Sequence, residues 1–237
     1  MRVRYLIKFS KEDSIKFVAH LDLMRTIQRM MKRSGLPVQY SKGFNPHINM
    51  SLAQPLAVGV YSSGDYLDAA FDEELDESTI VEKLNLSAPM GIKVFEAVKI
   101  KEEQNKKVFK SMAAIDAAKY TIKVKYNSVE FLNQDMEKLL NAQQWETIKK
   151  SKSGESKVNI KSMIKEIKYE IVDNILIIHT TVSCGSRENL SSELLAKFIQ
   201  ENTREAKVDA FVDIKREEMY ALVKRKLVPL YKYAKIL

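Results

Sequence analysis

The chain of 237 residues carries one cysteine, Cys184, and three histidines, His20, His47 and His179. A single thiol excludes an internal disulfide, and three scattered imidazoles cannot assemble a usual structural zinc site without carboxylate help, so no metal and no cofactor is expected. Long apolar runs are missing as well. The longest aliphatic stretch, Ile175-Leu-Ile-Ile178, is far too short to span a bilayer, and the segment MRVRYLIKFSKED meets charge before a leader's apolar stretch could form. These absences predict a soluble, cytoplasmic protein with no membrane partner. No Walker loop, dinucleotide fingerprint or Ser-His-Asp spacing occurs either, which removes the commonest nucleotide-hydrolysing and acyl-transfer signatures.

A further absence is local. Acidic residues number 31, yet none occurs between Leu23 and Gly64, a window that holds Arg25, Arg29, Lys32, Arg33 and Lys42. The sign then reverses at Asp65, Asp68, Asp72, Glu73, Glu74, Asp76 and Glu77. A second acid-free block runs from Met219 to Leu237 with Lys224, Arg225, Lys226, Lys232 and Lys235. Each block reads either as a solvated face or tail, or as a surface for a polyanion.

The order of elements is legible from periodicity. Residues 3–9, rich in aromatic and β-branched side chains, predict a strand. Leu23, Met24, Ile27, Met30 and Met31 recur at helical spacing up to a stop at Gly35-Leu36-Pro37. On that helix Arg25, Arg29, Lys32 and Arg33 fall on one side. Strands at 65–71 and 92–100 flank a short helix at 78–86, and with the Tyr40–Gly59 stretch ahead of them the order reads strand, helix, two strands, helix, strand. The same order recurs later: strand 120–126, helix 129–142, a β-like stretch from Trp145 into a lysine-rich loop, strands 168–172 and 175–182 joined at Asp173-Asn174, helix 192–202, and a last strand near 210–214. The expected fold is therefore α+β, with tandem ferredoxin-like (split βαβ) domains built on antiparallel sheets. The expected domains are 1–105, with the basic helix, and 111–237, with a lysine-rich insertion, joined by the polar stretch 101–110.

Within Tyr40–Gly59, Gly43 permits a left-handed or close-approach backbone, Phe44 offers a stacking face, Asn45-Pro46 favours a turn, and His47 can donate or accept a hydrogen bond. Beside a basic helix these are the parts of a nucleic-acid contact, with Arg25, Arg29, Lys32, Arg33 and Lys42 for phosphates and Tyr40, Phe44, Asn45 and His47 for unstacked bases. They are equally the parts of a strand connection with a buried Phe44. His20 and Asp22 at the start of the helix form a general acid–base set only if they meet His47 in space. Ser183-Cys-Gly-Ser-Arg187 ahead of a helix reads as capping by Ser191 or Ser192, or as a phosphate cradle.

The spaced motifs His20-Leu-Asp-Leu-Met-Arg25, Arg33-Ser-Gly-Leu-Pro37, Tyr40-Ser41, Gly43-Phe-Asn-Pro46, Pro55-Leu56, Gly59 and Tyr66-Leu-Asp68 resemble the radical-SAM-linked family. This is a domain family of unknown function, fused to radical SAM proteins or encoded beside them. The resemblance implies association with a radical SAM protein, and the family's recurring company with ribonuclease and ribosomal-protein genes implies RNA or ribosome maturation. A radical SAM centre needs three cysteines for its cluster, so a chain with Cys184 alone is not itself that enzyme. The expected function is an RNA-binding or substrate-presenting accessory module. The alternatives are a metal-independent RNA-processing or RNA-modifying enzyme, and a protein–protein adaptor.

Overall fold

A first strand buried along almost its whole length sets the plan of the molecule. In this computed structural model, which describes residues 2–101, 109–151 and 154–237, the chain divides into two units: Met1–Asp116 with Arg216–Leu237, and Ala117–Lys215.

The first unit begins with β1 (Val3–Lys11), α1 (His20–Arg33), β2 (Met50–Leu52), β3 (Val60–Phe71), α2 (Glu77–Ser87), β4 (Val94–Ile100) and the short α3 (Ser111–Ala114). β1 lies between β4 and β3, antiparallel to both, with Val3 opposite Phe71 and Arg4 opposite Ile100, and β2 adds to the far edge of β3 at Met50 opposite Ala69. The strand order β4-β1-β3-β2 is the split βαβ arrangement. Val3, Tyr5, Ile7 and Phe9 point to one face and share a core with Leu23, Ile27, Met30 and Met31 of α1 and Ile80 and Leu84 of α2. α1 stops where the sequence predicts: Gly35 follows the helix at φ 67, in the left-handed region where lack of a Cβ removes strain. Asp76 caps α2 by accepting from the Thr79 N–H.

The second unit repeats the plan with β5 (Ala117–Lys125), α4 (Leu132–Asn141), the hairpin β6 (Glu146–Ser151) and β7 (Gly154–Asn159), β8 (Ile164–Val172), β9 (Ile175–Ser183) and α5 (Ser192–Glu201). Its sheet runs β5-β9-β8, all antiparallel, and Asp173 turns β8 into β9 at φ 53. Tyr120, Ile122 and Val124 are buried, as are Leu132, Met136 and Leu139 of α4 and Leu195, Phe198 and Ile199 of α5. Trp145 stacks on Phe198 with centroids 5.2 Å apart, and its Nε1–H donates to Leu139 O. The stretch expected as a lysine-rich loop is the β6–β7 hairpin. Ser191 caps α5 through the Leu194 N–H, which settles the choice between Ser191 and Ser192.

The chain then returns to the first unit through β10 (Asp213–Val223), β11 (Lys226–Pro229) and α6 (Leu230–Lys235). β10 lies beside β3, and β11 folds back on β10 with Val223 opposite Lys226. α6 packs against β4 and β1, burying Leu230 and Ala234. This corrects two expectations. The second domain does not run to residue 237, because Arg216–Leu237 pack into the first unit; and the final strand extends from Asp213 to Val223 instead of ending near 214. Of the expected linker 101–110, residues 102–108 lie outside the described residues.

Candidate nucleic-acid interface

The connection from α1 to β2 closes on itself before it reaches the sheet. Tyr40 and Ile48 pair as an isolated bridge, the Ser41 N–H donates to His47 O at 2.8 Å, and the His47 N–H donates to Ser41 Oγ at 3.1 Å. His47 Nδ1 lies 3.2 Å from both Ser41 Oγ and Asn45 O, so the imidazole braces the base of the loop. Gly43 takes φ 126, and a Cβ there would meet nothing within 4 Å, so the glycine serves backbone conformation and not packing. Lys42, Phe44, Asn45, Pro46 and His47 are all exposed, and the Phe44 ring is entirely in solvent. The alternative in which Phe44 anchors a strand connection in the core does not hold.

The four cations of α1 are all exposed but differ in what holds them. Arg25 Nη1 donates to Asp22 Oδ1 at 3.1 Å, one turn back. Arg33 Nη2 donates to Ser87 O at 3.0 Å, satisfying one of the carbonyls that α2 leaves open at its C-terminal end. Lys32 Nζ lies 5.9 Å from the centroid of the Tyr40 ring, a cation–π contact that ties the last turn of α1 to the loop. Arg29 has no ion-pair or hydrogen-bond partner among the described residues. The cations facing solvent most freely are therefore Arg29, Lys32 and Lys42, the last two beside the aromatic pair Tyr40 and Phe44.

His20 and His47 are not brought together. His20 opens α1 near the Lys11 end of β1, where Lys11 Nζ donates to Lys16 O and the Gly59 N–H donates to the same carbonyl. His47 belongs to the opposite end, next to the Val38–Phe71 bridge that follows α1. The helix alone separates them by about 20 Å at 1.5 Å per residue. Asp22 faces Arg25. No geometry for proton transfer links these three side chains. His179 lies on the half-exposed face of β9, with Nδ1 3.2 Å from Thr121 Oγ1 and Nε2 3.5 Å from Glu170. Cys184 is buried.

Sequence reasoning missed a set of buried polar contacts in the first unit. Arg216 donates to Asp65 Oδ1 through Nε at 2.9 Å and Nη2 at 2.6 Å, and to Gln54 O at 3.1 Å. Lys8 Nζ and the Tyr66 hydroxyl both donate to Glu218 at 2.6 Å, and Ser111 donates to Asp68 through its N–H and hydroxyl. Burial raises the Asp68 carboxyl against the opposing pull of Ser111 and Arg4, and burial together with Glu218 raises the Tyr66 phenol. Burial lowers the Lys11 ammonium, with Asp65 opposing. One signal was available: Arg4 and Lys8 alternate with the core positions of β1, as Asp68 and Tyr66 do in β3.

A family model described as an uncharacterized protein conserved in bacteria (DUF2344) matches residues 4–192, more than half of the chain. The chain belongs to this family. The DUF2344 match covers β1 to β9 and stops as α5 begins, leaving β10, β11 and α6 beyond it. It carries no link to radical SAM proteins. No curated protein matches the chain. Among solved structures, a Cbf5–Nop10–Gar1 complex is similar at 12% identity and TM-score 0.48, over 91% of this chain and 48% of that one, so the chain spans about half the length of that neighbour. An unknown protein from Galdieria sulphuraria is similar at 10% identity and TM-score 0.26, over 92% of this chain and 98% of that one. Among the described residues, no helix of this DUF2344 protein is long and apolar enough to cross a membrane.

Proposed function

We propose that the protein binds single-stranded RNA through the 41–47 loop and the adjoining end of α1, and presents it to a radical SAM protein. The observation that carries the RNA reading is the Phe44 ring, fully in solvent on a loop closed by its own hydrogen bonds and flanked by Lys42 and the Lys32–Tyr40 pair. An aromatic presented beside uncommitted cations suits an unstacked base with its phosphates. The radical SAM partnership rests on the spaced motifs between His20 and Asp68, since Cys184 alone supplies too few thiolates to hold such a cluster.

The two kinds of contact separate in a salt titration with a fluorescent oligouridylate. Substituting Arg29, Lys32 and Lys42 together with Gln should reduce the magnitude of the log–log salt slope by roughly two, since each single-strand phosphate contact contributes about 0.7. Arg33 is left in place because it caps α2. Phe44→Ala should cost about 1–3 kcal/mol at every salt concentration with little change in slope. Unchanged affinity in both variants would end the RNA reading of this face. Co-purification of a radical SAM protein with the tagged chain from its native cell tests the partnership separately.

A further inference from the structure

A cleft of about 430 Å³ lies where β2 meets β3 and the 110–112 segment. Arg4 and Asp68 sit at its floor on the sheet face opposite α1 and α2, while Arg2, Lys110 and His47 stand exposed at its edge and Met112 lines its wall. Asp68 is fixed from below: Oδ2 accepts from the Ser111 N–H at 3.1 Å and the Ser111 hydroxyl at 2.6 Å, while Oδ1 lies 3.8 Å from Arg4 Nη2 and accepts no hydrogen bond. Arg2, Arg4 and Lys110 against the one carboxylate of Asp68 leave two positive charges around the cleft. A phosphomonoester carries close to two negative charges near neutral pH; a phosphodiester inside a strand carries one. Burial, which favours the neutral form of Asp68, moves the balance further toward a dianion.

His47 connects this cleft to the loop described above. It lies three positions after Phe44, a chain length of at most roughly 11 Å, so a ligand on the ring and a ligand in the cleft are close neighbours. We propose that the cleft binds the terminal phosphate of the RNA strand whose adjacent base rests on Phe44. This rests on the reading of the Phe44 loop as an RNA-binding face. It adds that the protein recognises strand ends, and that the end must be phosphorylated. Upstream of such a protein stands a reaction that leaves a phosphomonoester at an RNA terminus, as nucleolytic cleavage or end phosphorylation does.

The test uses the full chain and three oligouridylates of one length: with a 5′-phosphate, with a 3′-phosphate, and with hydroxyls at both ends. One phosphorylated form should bind about tenfold more tightly than the hydroxyl form, the worth of one good charge-assisted hydrogen bond, and which form it is identifies the end recognised. The double variant Arg2→Gln/Lys110→Gln alters two exposed side chains, so its thermal midpoint should match the parent. It should abolish the tenfold difference and leave hydroxyl-ended binding in place. Lys42→Gln should instead weaken all three equally. Equal binding of the three oligonucleotides by the parent, or a difference that survives in the double variant, overturns the cleft assignment while the Phe44 reading stands. Failure of all three to bind overturns both.

Discussion

β1 and β5 hold the same place in their units and are buried in opposite ways. Every residue of β1 except Lys8 is buried, whereas β5 alternates, with Tyr120, Ile122 and Val124 inside and Lys119, Lys123 and Lys125 in water. The order strand, helix, two strands, helix guarantees one covered sheet face. What becomes of the other depends on what else the chain supplies. In the first unit α6 packs over it, α3 holds Asp68 through Ser111, and the polar side chains on that face, Arg4, Tyr66 and Asp68, had to find partners within the protein, as did the buried Asp65, Arg216 and Glu218. In the second unit the same face keeps its lysines solvated.

The comparison breaks most sharply at Arg216. Arg216→Met leaves the Asp65 carboxylate buried without its counter-ion and should destabilise the protein by about 3–5 kcal/mol in urea unfolding; a loss below 1 kcal/mol would mean that water reaches Asp65. A smaller contrast comes from pH. The raised Asp68 carboxyl contributes stability that is fully present below the ordinary Asp value of about 4 and lost as pH rises through its folded value. Asp135 runs the other way: Arg204 holds its carboxyl low, so its contribution is present above the ordinary value and lost as pH falls through the folded one. Subtracting Asp68→Asn from the parent should therefore give a difference that declines with rising pH, and Asp135→Asn one that grows, when unfolding is followed across the acid range. The weakest effect belongs to the open face. Replacing Lys119, Lys123 and Lys125 with Gln should change stability by less than about 0.5 kcal/mol per site, because each head group is already solvated.

Much of this was legible where periodicity is local. Leu23, Ile27, Met30 and Met31 announce α1, Gly35 ends it, and the alternating runs on either side of Asp173 announce β8 and β9. The C-terminal block was not legible for a definable reason. Its hairpin turns at Lys224 and Arg225, with φ 46 and 66, using two cations where such turns ordinarily carry Asn or Gly. Without that punctuation, Met219, Ala221, Leu230 and Ala234 look like scattered apolar residues in a basic tail, although all four are buried. For the site, composition identified the Phe44 loop but could not say whether the ring was inside or outside. Nor could spacing show that Arg33 is held by Ser87, or that Arg2, His47 and Lys110 share one cleft, since those meetings depend on the sheet register.

The interruption of the first unit by residues 117–215 bears on how the protein is made. A ribosome delivers β1 to β4 early, but Arg216 and Glu218, the partners of Asp65, Tyr66 and Lys8, only after the entire second unit has emerged. Until then Asp65 lacks its donor and Tyr66 and Lys8 lack their acceptor, and supplying them draws the ends of a loop of about a hundred residues together, at an entropic cost that folding of the intervening unit reduces. The segment synthesised first is therefore the last to reach its native state, and residues 117–215, continuous in sequence, are free to fold ahead of it.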